Sequence, residues 1–282
     1  MKTEQRHRHV DAPATDQIDV FVASVEACWE EAGAQGYPML LEPAEISRAA
    51  QFVFERDRRR FIVTRALART VLAEATGLAP AELRFTQNAW GRPEIANAQA
   101  RSLDIRFNLS HTADLIVLAV TSTRDVGVDV ERVGARDVPL DLADRFFAPS
   151  ESAALRSMPA SAQGRRFFEY WTLKEAYIKA RGMGLSLGLD TFAFELGNPL
   201  EIGLSVDPAV DEDAGRWRFW QFEIASDYLI ALCCEARGGD PRIAFTRRTP
   251  LLARADLTPA PVRRSAPLHS SFVSAGARVC WH

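Results

Sequence analysis

The chain has 282 residues, 47% of them hydrophobic, and a formal net charge of −3. That length suits two modest domains, and a charge so close to neutral gives no reason to expect nucleic acid or an acidic membrane surface as the main partner. The longest aliphatic run, LIVLAV at 115–120, is far too short to span a bilayer, and the opening MKTEQRHRHVDAPATDQ lacks the apolar segment of a secretory signal, so a cytoplasmic protein is expected.

In chain order, the polar stretch 1–17 predicts a frayed tail. IDVFVASVEACW at 18–29 begins with strand alternation. AEISRAAQFVFERDRRRFIVTRALARTVLAEATG predicts one or two amphipathic helices closing at Gly77. LRFTQNAWGRPEIA reads as two short strands around a turn, and IRFNLSH with DLIVLAVTS as a strand pair joined by a polar bend. GVDVERV is strand-like, APSESAALRSM and RRFFEYWTLKEAYIKARG are helix-like, and DTFAFEL, RWRFWQFEI and DYLIALCCEA read as strands. Both halves thus run strand, helices, strands. The expectation is an α+β fold of two similar lobes related by a pseudo-twofold, 18–125 and 126–236, each an antiparallel sheet with helices, with the active site in the cleft between them. After Arg237 the chain is rich in Arg and Pro without sustained periodicity, and 237–282 is expected to be a mostly disordered tail. Cys28, Cys233, Cys234 and Cys280 form no C-x-x-C pair and read as free thiols.

GVDVERV at 127–133 sets Val126, Val128 and Val130 on one strand face and Asp129 and Glu131 on the other. The two carboxylates then lie roughly 7 Å apart. In WTLKEAYIK, Trp171, Glu175 and Lys179 stand at i, i+4 and i+8 on one helix face beside Phe168. Taken singly, these are a solvated strand face and a surface Glu–Lys pair. Taken together, Asp129, Glu131 and Glu175 offer hard oxygen ligands to Mg²⁺, with Lys174 and Lys179 adding positive charge toward phosphates. In FNLSHT, Ser110 and His111 are candidate anion donors and Asn108 a residue that fixes the bend. AWGRPEI offers Gly91 for close backbone approach and Arg92 as a cation. Arg56, Arg58, Arg59 and Arg60 form a basic cluster of which one or two could reach a phosphate. No G-x-S-x-G elbow, Walker loop, H-E-x-x-H or post-strand G-x-G-x-x-G is present.

In this order WGRP, FNLSH, GVDVER and WTLKEAYIKARGMGL resemble the 4′-phosphopantetheinyl transferases of the large two-lobed, Sfp-type class. QFVFERD fits the same pattern, and the resemblance spans roughly 18–235. It implies transfer of the phosphopantetheine arm of coenzyme A to a serine of an apo acyl- or peptidyl-carrier protein, with Mg²⁺ and release of adenosine 3′,5′-bisphosphate. Asp129 and Glu131 match the family's metal pair and Glu175 its third acid; Lys179 matches its pyrophosphate lysine, with Lys174 nearby. Ser110 and His111 match coenzyme A phosphate contacts, Gly91 and Arg92 the segment beside the adenine nucleotide, and Arg48 a first-lobe phosphate contact. Arg60 is an alternative grip on the 3′-phosphate. Glu151 matches a further family acid, and the general base is Glu175, Glu151 or a metal-bound water. A metal-dependent hydrolase of coenzyme A or dinucleotide pyrophosphates, and a non-catalytic carrier-binding protein, are the alternatives. A chain that builds its own cleft is expected to be a monomer.

Overall fold

The computed structural model describes residues 16–134, 140–197, 200–225 and 227–266. The expectations for 1–15, 267–282 and Cys280 lie outside them. The first half contains β1 (Gln17–Ser24), the helices Pro43–Ala49 and Glu55–Thr76, the hairpin β2 (Phe85–Gln87) and β3 (Pro93–Ile95), then β4 (Ile105–Thr112) and β5 (Leu115–Ser122). The second half opens with β6 (Val126–Arg132), continues through the helices Pro149–Arg156 and Ala160–Arg181, and adds β7 (Phe192–Glu195), β8 (Glu201–Val206), β9 (Trp217–Ile224) and β10 (Tyr228–Glu235). Three further strands follow: β11 (Arg242–Thr249), β12 (Ala253–Leu257) and β13 (Pro261–Ser265).

Strand periodicity decides the layering. Val20, Val22, Val117 and Ala119 on one face of the first sheet join Val128, Val130, Ile230 and Leu232 of the second in a core between the sheets. The opposite face of the first sheet packs Ile116, Leu118 and Val120 against Val63, Leu67 and Val71 of the helix Glu55–Thr76. The second sheet turns Phe219, Ala231 and Cys233 toward Leu173, Tyr177 and Ala180 of Ala160–Arg181. The order is therefore helix, sheet, sheet, helix, an α+β architecture with one 22-residue helix on each outside face. β5 is buried at every position because it is covered on both sides, which is why its sequence is a continuous apolar run rather than an alternation.

The expectation of a disordered Arg/Pro-rich tail is corrected. The first sheet runs β12-β11-β1-β5-β4 and the second β6-β10-β9-β13-β8-β7, so the segment after Arg237 contributes to both. β11 lies parallel to β1 from Gln17↔Arg242 to Val22↔Arg247, and β13 sits between β9 and β8. Composition hid these strands because only Phe245 of β11 is fully buried, while its arginines occupy positions that solvent or partner acids accommodate. The bend expected within FNLSHT is also displaced. Ser110, His111 and Thr112 remain in β4, and the turn falls at Ala113, whose φ is 45. Asn108 does not fix that bend; its Oδ1 accepts a 2.9 Å hydrogen bond from the backbone N–H of Val128 and ties the two lobes together.

Gly127 lets β6 lie directly on the second-lobe helix. A Cβ there would stand 2.0 Å from the Ala176 carbonyl oxygen and 2.4 Å from the Ala180 nitrogen. Gly127→Ala must push strand and helix apart, and is expected to lower stability by about 1–3 kcal/mol or more, read as a fall in the urea midpoint.

Among the described cysteines, Cys28, Cys233 and Cys234 are free and buried. Burial pushes the Cys28 thiol up to about 11 and that of Cys234 to about 12, and raises Cys233 well above its ordinary value. With Cys280 replaced by serine, the native protein is expected to give almost no reaction with a thiol reagent at pH 8 and three equivalents on unfolding. Rapid native labelling would contradict this packing.

Candidate active site

A cavity of about 680 Å³ lies where the first-lobe helix, β4, β6 and the second-lobe helix meet. The second lobe contributes Asp129, Glu131, Trp171, Glu175 and Lys179, and the first contributes Arg60, Thr64, Arg65, Ser110 and His111. The strand and helix spacings explain the convergence. Asp129 pairs in register with Ala231 on the helix-facing side of the sheet, and the i, i+4, i+8 row of the helix faces it.

Asp129 is 5% exposed and is the centre of the polar network. Its Oδ1 accepts from Lys179 Nζ at 2.6 Å and from Ser110 Oγ at 2.8 Å, while Lys179 Nζ also donates to Ser110 Oγ at 3.2 Å. Thr112 Oγ1 donates to Glu131 Oε2 at 3.0 Å. Burial raises the Glu175 carboxyl above its ordinary value; Lys179 opposes that shift, and the charges of Asp129 and Glu131 reinforce it. His111 is held below the ordinary histidine value, first by desolvation between the cleft walls and then by Arg60 and Lys179. At neutral pH its imidazole is thus a neutral donor or acceptor.

The three acids share the cavity but do not close into a ligand cluster. Among the described residues, no group of three or more His, Cys, Asp or Glu side chains is arranged to hold a metal ion. The Lys179 ammonium stands against Asp129 instead. One feature does fit a hard cation: Asp129 Oδ2 is buried with no hydrogen-bond partner, an expensive state for a carboxylate oxygen.

Several sequence expectations are corrected here. Lys174 does not face the cleft. It is fully buried on the other side of the helix, with Nζ 2.6 Å from Glu151, 2.7 Å from the Leu189 carbonyl oxygen and 2.8 Å from that of Phe192. One helical step of about 100° separates it from Glu175, so the two residues cannot serve the same face. Glu151 is removed from the reacting groups by the same pairing; its other contacts are the backbone N–H groups of Ala148 and Phe194. Arg48 is exposed, donates to Gln51 and lies 5.6 Å over the Phe52 ring, so it stands behind a cavity wall rather than in it. Gly91 forms the hairpin turn with φ 85, and Arg92 points to the end of the second-lobe helix; of that motif only Pro93 reaches the cavity.

The cationic wall was only partly visible in sequence. Arg60 is one of the four arginines at 56–60; Thr64 follows it at i+4, and Arg65, at i+4 from Phe61, lines the same cavity. Arg60 is balanced by Asp57 at 2.8 Å, and Arg65 lies over the Phe61 ring, 3.6 Å from Glu45. The helical spacing beside Phe61 and Ala68 was the available signal.

Residues 125–233 match the family described as the 4′-phosphopantetheinyl transferase superfamily, and 30–123 match 4′-phosphopantetheinyl transferase, N-terminal. The 4′-phosphopantetheinyl transferase HetI of a Nostoc species is 32% identical over 213 residues, covering 75% of this chain and 86% of its own length. A phosphopantetheinyl transferase of a Thraustochytrium species is 33% identical, covering 73% and 76%. The 4′-phosphopantetheinyl transferase Sfp of Bacillus subtilis is 26% identical, covering 68% and 81%. This chain belongs to the 4′-phosphopantetheinyl transferase superfamily.

Proposed function

We propose that the protein transfers the 4′-phosphopantetheine arm of coenzyme A to a serine hydroxyl of an apo acyl- or peptidyl-carrier protein, releasing adenosine 3′,5′-bisphosphate. The observation that carries this is the pairing of one acidic wall, Asp129, Glu131 and Glu175, with Lys179 and the first-lobe donors Ser110, His111, Arg60 and Arg65 around one cavity. Such a wall suits a pyrophosphate on one side and a serine hydroxyl on the other.

Lys179 supplies a cation to the pyrophosphate oxygens, where negative charge grows as the phosphorus–oxygen bond breaks. Ser110 and His111 hydrogen-bond phosphate oxygens, and Arg60 and Arg65 hold the nucleotide end by charge. Glu175, on the cavity wall beside Lys179, is the group placed to receive the proton of the incoming serine hydroxyl. Asp129, Glu131 and Glu175 would hold Mg²⁺, which when bound supplies charge neutralisation at the pyrophosphate. The buried, unpartnered Asp129 Oδ2 supports that assignment. Both walls of the cavity come from one chain, which supports a monomer. Among the described residues no helix is long and apolar enough to cross a membrane.

The test is incubation of the protein with coenzyme A, Mg²⁺ and a panel of apo carriers from fatty acid, polyketide and nonribosomal peptide synthesis. The expected result is a gain of one phosphopantetheinyl group by mass, with no nucleotide released when the carrier is omitted. Failure to modify any carrier would defeat the proposal.

A further inference from the structure

The last carbonyls of a helix have no partners within it and must find them elsewhere. At the end of the helix Ala160–Arg181, Gly182 turns the chain in the left-handed region with φ 64. Two carbonyls there are satisfied from the other lobe. Arg92 Nη1 donates to the Ala180 carbonyl oxygen at 3.1 Å, and Asn88 Nδ2 donates to that of Gly182 at 2.9 Å. Asn88 is itself braced, since its Oδ1 accepts from the backbone N–H groups of Trp90 and Arg92, each at 2.9 Å. Arg92 also lies 3.5 Å from Asp125, which in turn stands 3.6 Å from Arg106. The seat is close: a Cβ on Gly182 would lie 3.2 Å from Arg92 Cδ and Nη1 and 3.4 Å from Asn88 Nδ2.

Lys179 immediately precedes Ala180, and its Nζ must reach both Asp129 of its own lobe and Ser110 of the other. We propose that Asn88 and Arg92 form a latch between the lobes, which holds the last turn of this helix and thereby sets Lys179 at its working distance from Ser110. They are positioning residues. A guanidinium at a helix C-terminus also complements the dipole, so the latch is electrostatically favourable in the folded state. The inference rests on the transferase reading of the cleft for its catalytic consequence, but the latch itself is a statement about the helix end. It departs from the expectation that Arg92 contacts the nucleotide, because Arg92 does not line the cavity and its Nη1 is held by the Ala180 carbonyl oxygen and Asp125.

The test uses the full-length chain with Asn88→Ala, Arg92→Ala and Arg92→Lys. Amide hydrogen exchange reads the latch directly, and steady-state transfer reads its effect. Both alanine variants are expected to exchange the amides of 179–182 about tenfold faster or more than the unaltered chain. They are expected to lose kcat by about ten- to a hundredfold, since a displacement of about 1 Å is costly at a reacting centre. KM for coenzyme A should stay within about twofold, and Arg92→Lys should recover much of the loss because a single donor serves Ala180. A raised KM for coenzyme A with kcat intact in Arg92→Ala would make this residue a ligand contact and overturn the proposal. A lowered melting temperature with unchanged kcat would reduce the pair to a structural brace and overturn it as well. Unchanged exchange at 179–182 in Asn88→Ala would remove the latch altogether. Inactivity of the unaltered chain on every carrier would defeat the transferase reading, while the exchange result would still decide the latch.

Discussion

Lys179→Ala is expected to slow carrier modification by about a hundred- to a thousandfold, measured as the initial rate of mass gain on an apo carrier under saturating coenzyme A. The estimate is the usual cost of removing one preorganised charge from a reacting centre. Two features make the residue exposed to such a loss. Its ammonium is the cation that contacts both Asp129 and Ser110, the hydrogen-bonded pair at which the two lobes meet. Its removal also leaves Asp129, 5% exposed, without its ion pair, so the carboxylate is deprived of compensation as well. Glu175→Gln should cost a comparable factor while leaving the fold intact, because the amide keeps the shape and loses the proton acceptor. A variant of either residue that retained near-normal kcat would place the chemistry elsewhere in the cleft.

Lys174→Met should instead act on stability. With Lys174 and Glu151 both fully buried and 2.6 Å apart, removing one partner strands the other charge in the core. The expected cost is about 3–5 kcal/mol, seen as a large fall in the urea or thermal midpoint. Burial raises the Glu151 carboxyl and lowers the Lys174 ammonium, so both groups carry a desolvation penalty that their contact offsets together with the backbone partners of each. A double Glu151→Gln, Lys174→Met variant should therefore recover part of the loss, a coupling that a double-mutant cycle measures. If Lys174→Met left stability untouched and raised KM for coenzyme A, the phosphate role suggested by its place in WTLKEAYIK would return.

Residues that share a local period were legible in the sequence; residues that depend on distant chain were not. The alternation of GVDVERV correctly separated a valine face from Asp129 and Glu131, and the helical row Trp171, Glu175, Lys179 does line the cavity. The same row could not tell that Lys174, one residue earlier, would meet a glutamate from 23 positions upstream (174 − 151) in a dry core. Arg92 reads as a free cation until the end of a helix from the second lobe is placed against it. The tail strands escaped for a related reason. β11 pairs with β12 on one edge but is joined to its sheet through β1, more than 200 residues earlier, and a lone buried Phe245 is too weak a pattern to announce a strand.

The late strands bear on how the chain comes to be folded. β1 is among the first segments made, yet its parallel partner β11 follows every other strand of its sheet except β12, and β13 is inserted between β9 and β8, which are complete long before it. During synthesis the edge of β1 stays open until β11, ending at Thr249, has emerged, and the gap beside β9 until β13, ending at Ser265, has followed, while the rest of each lobe forms. Pairings of such long sequence separation are slow, and open strand edges invite association with other chains. Chains interrupted before β11 should therefore collect as aggregates rather than as a working first lobe, and refolding of the intact protein should contain a slow step absent from the helices.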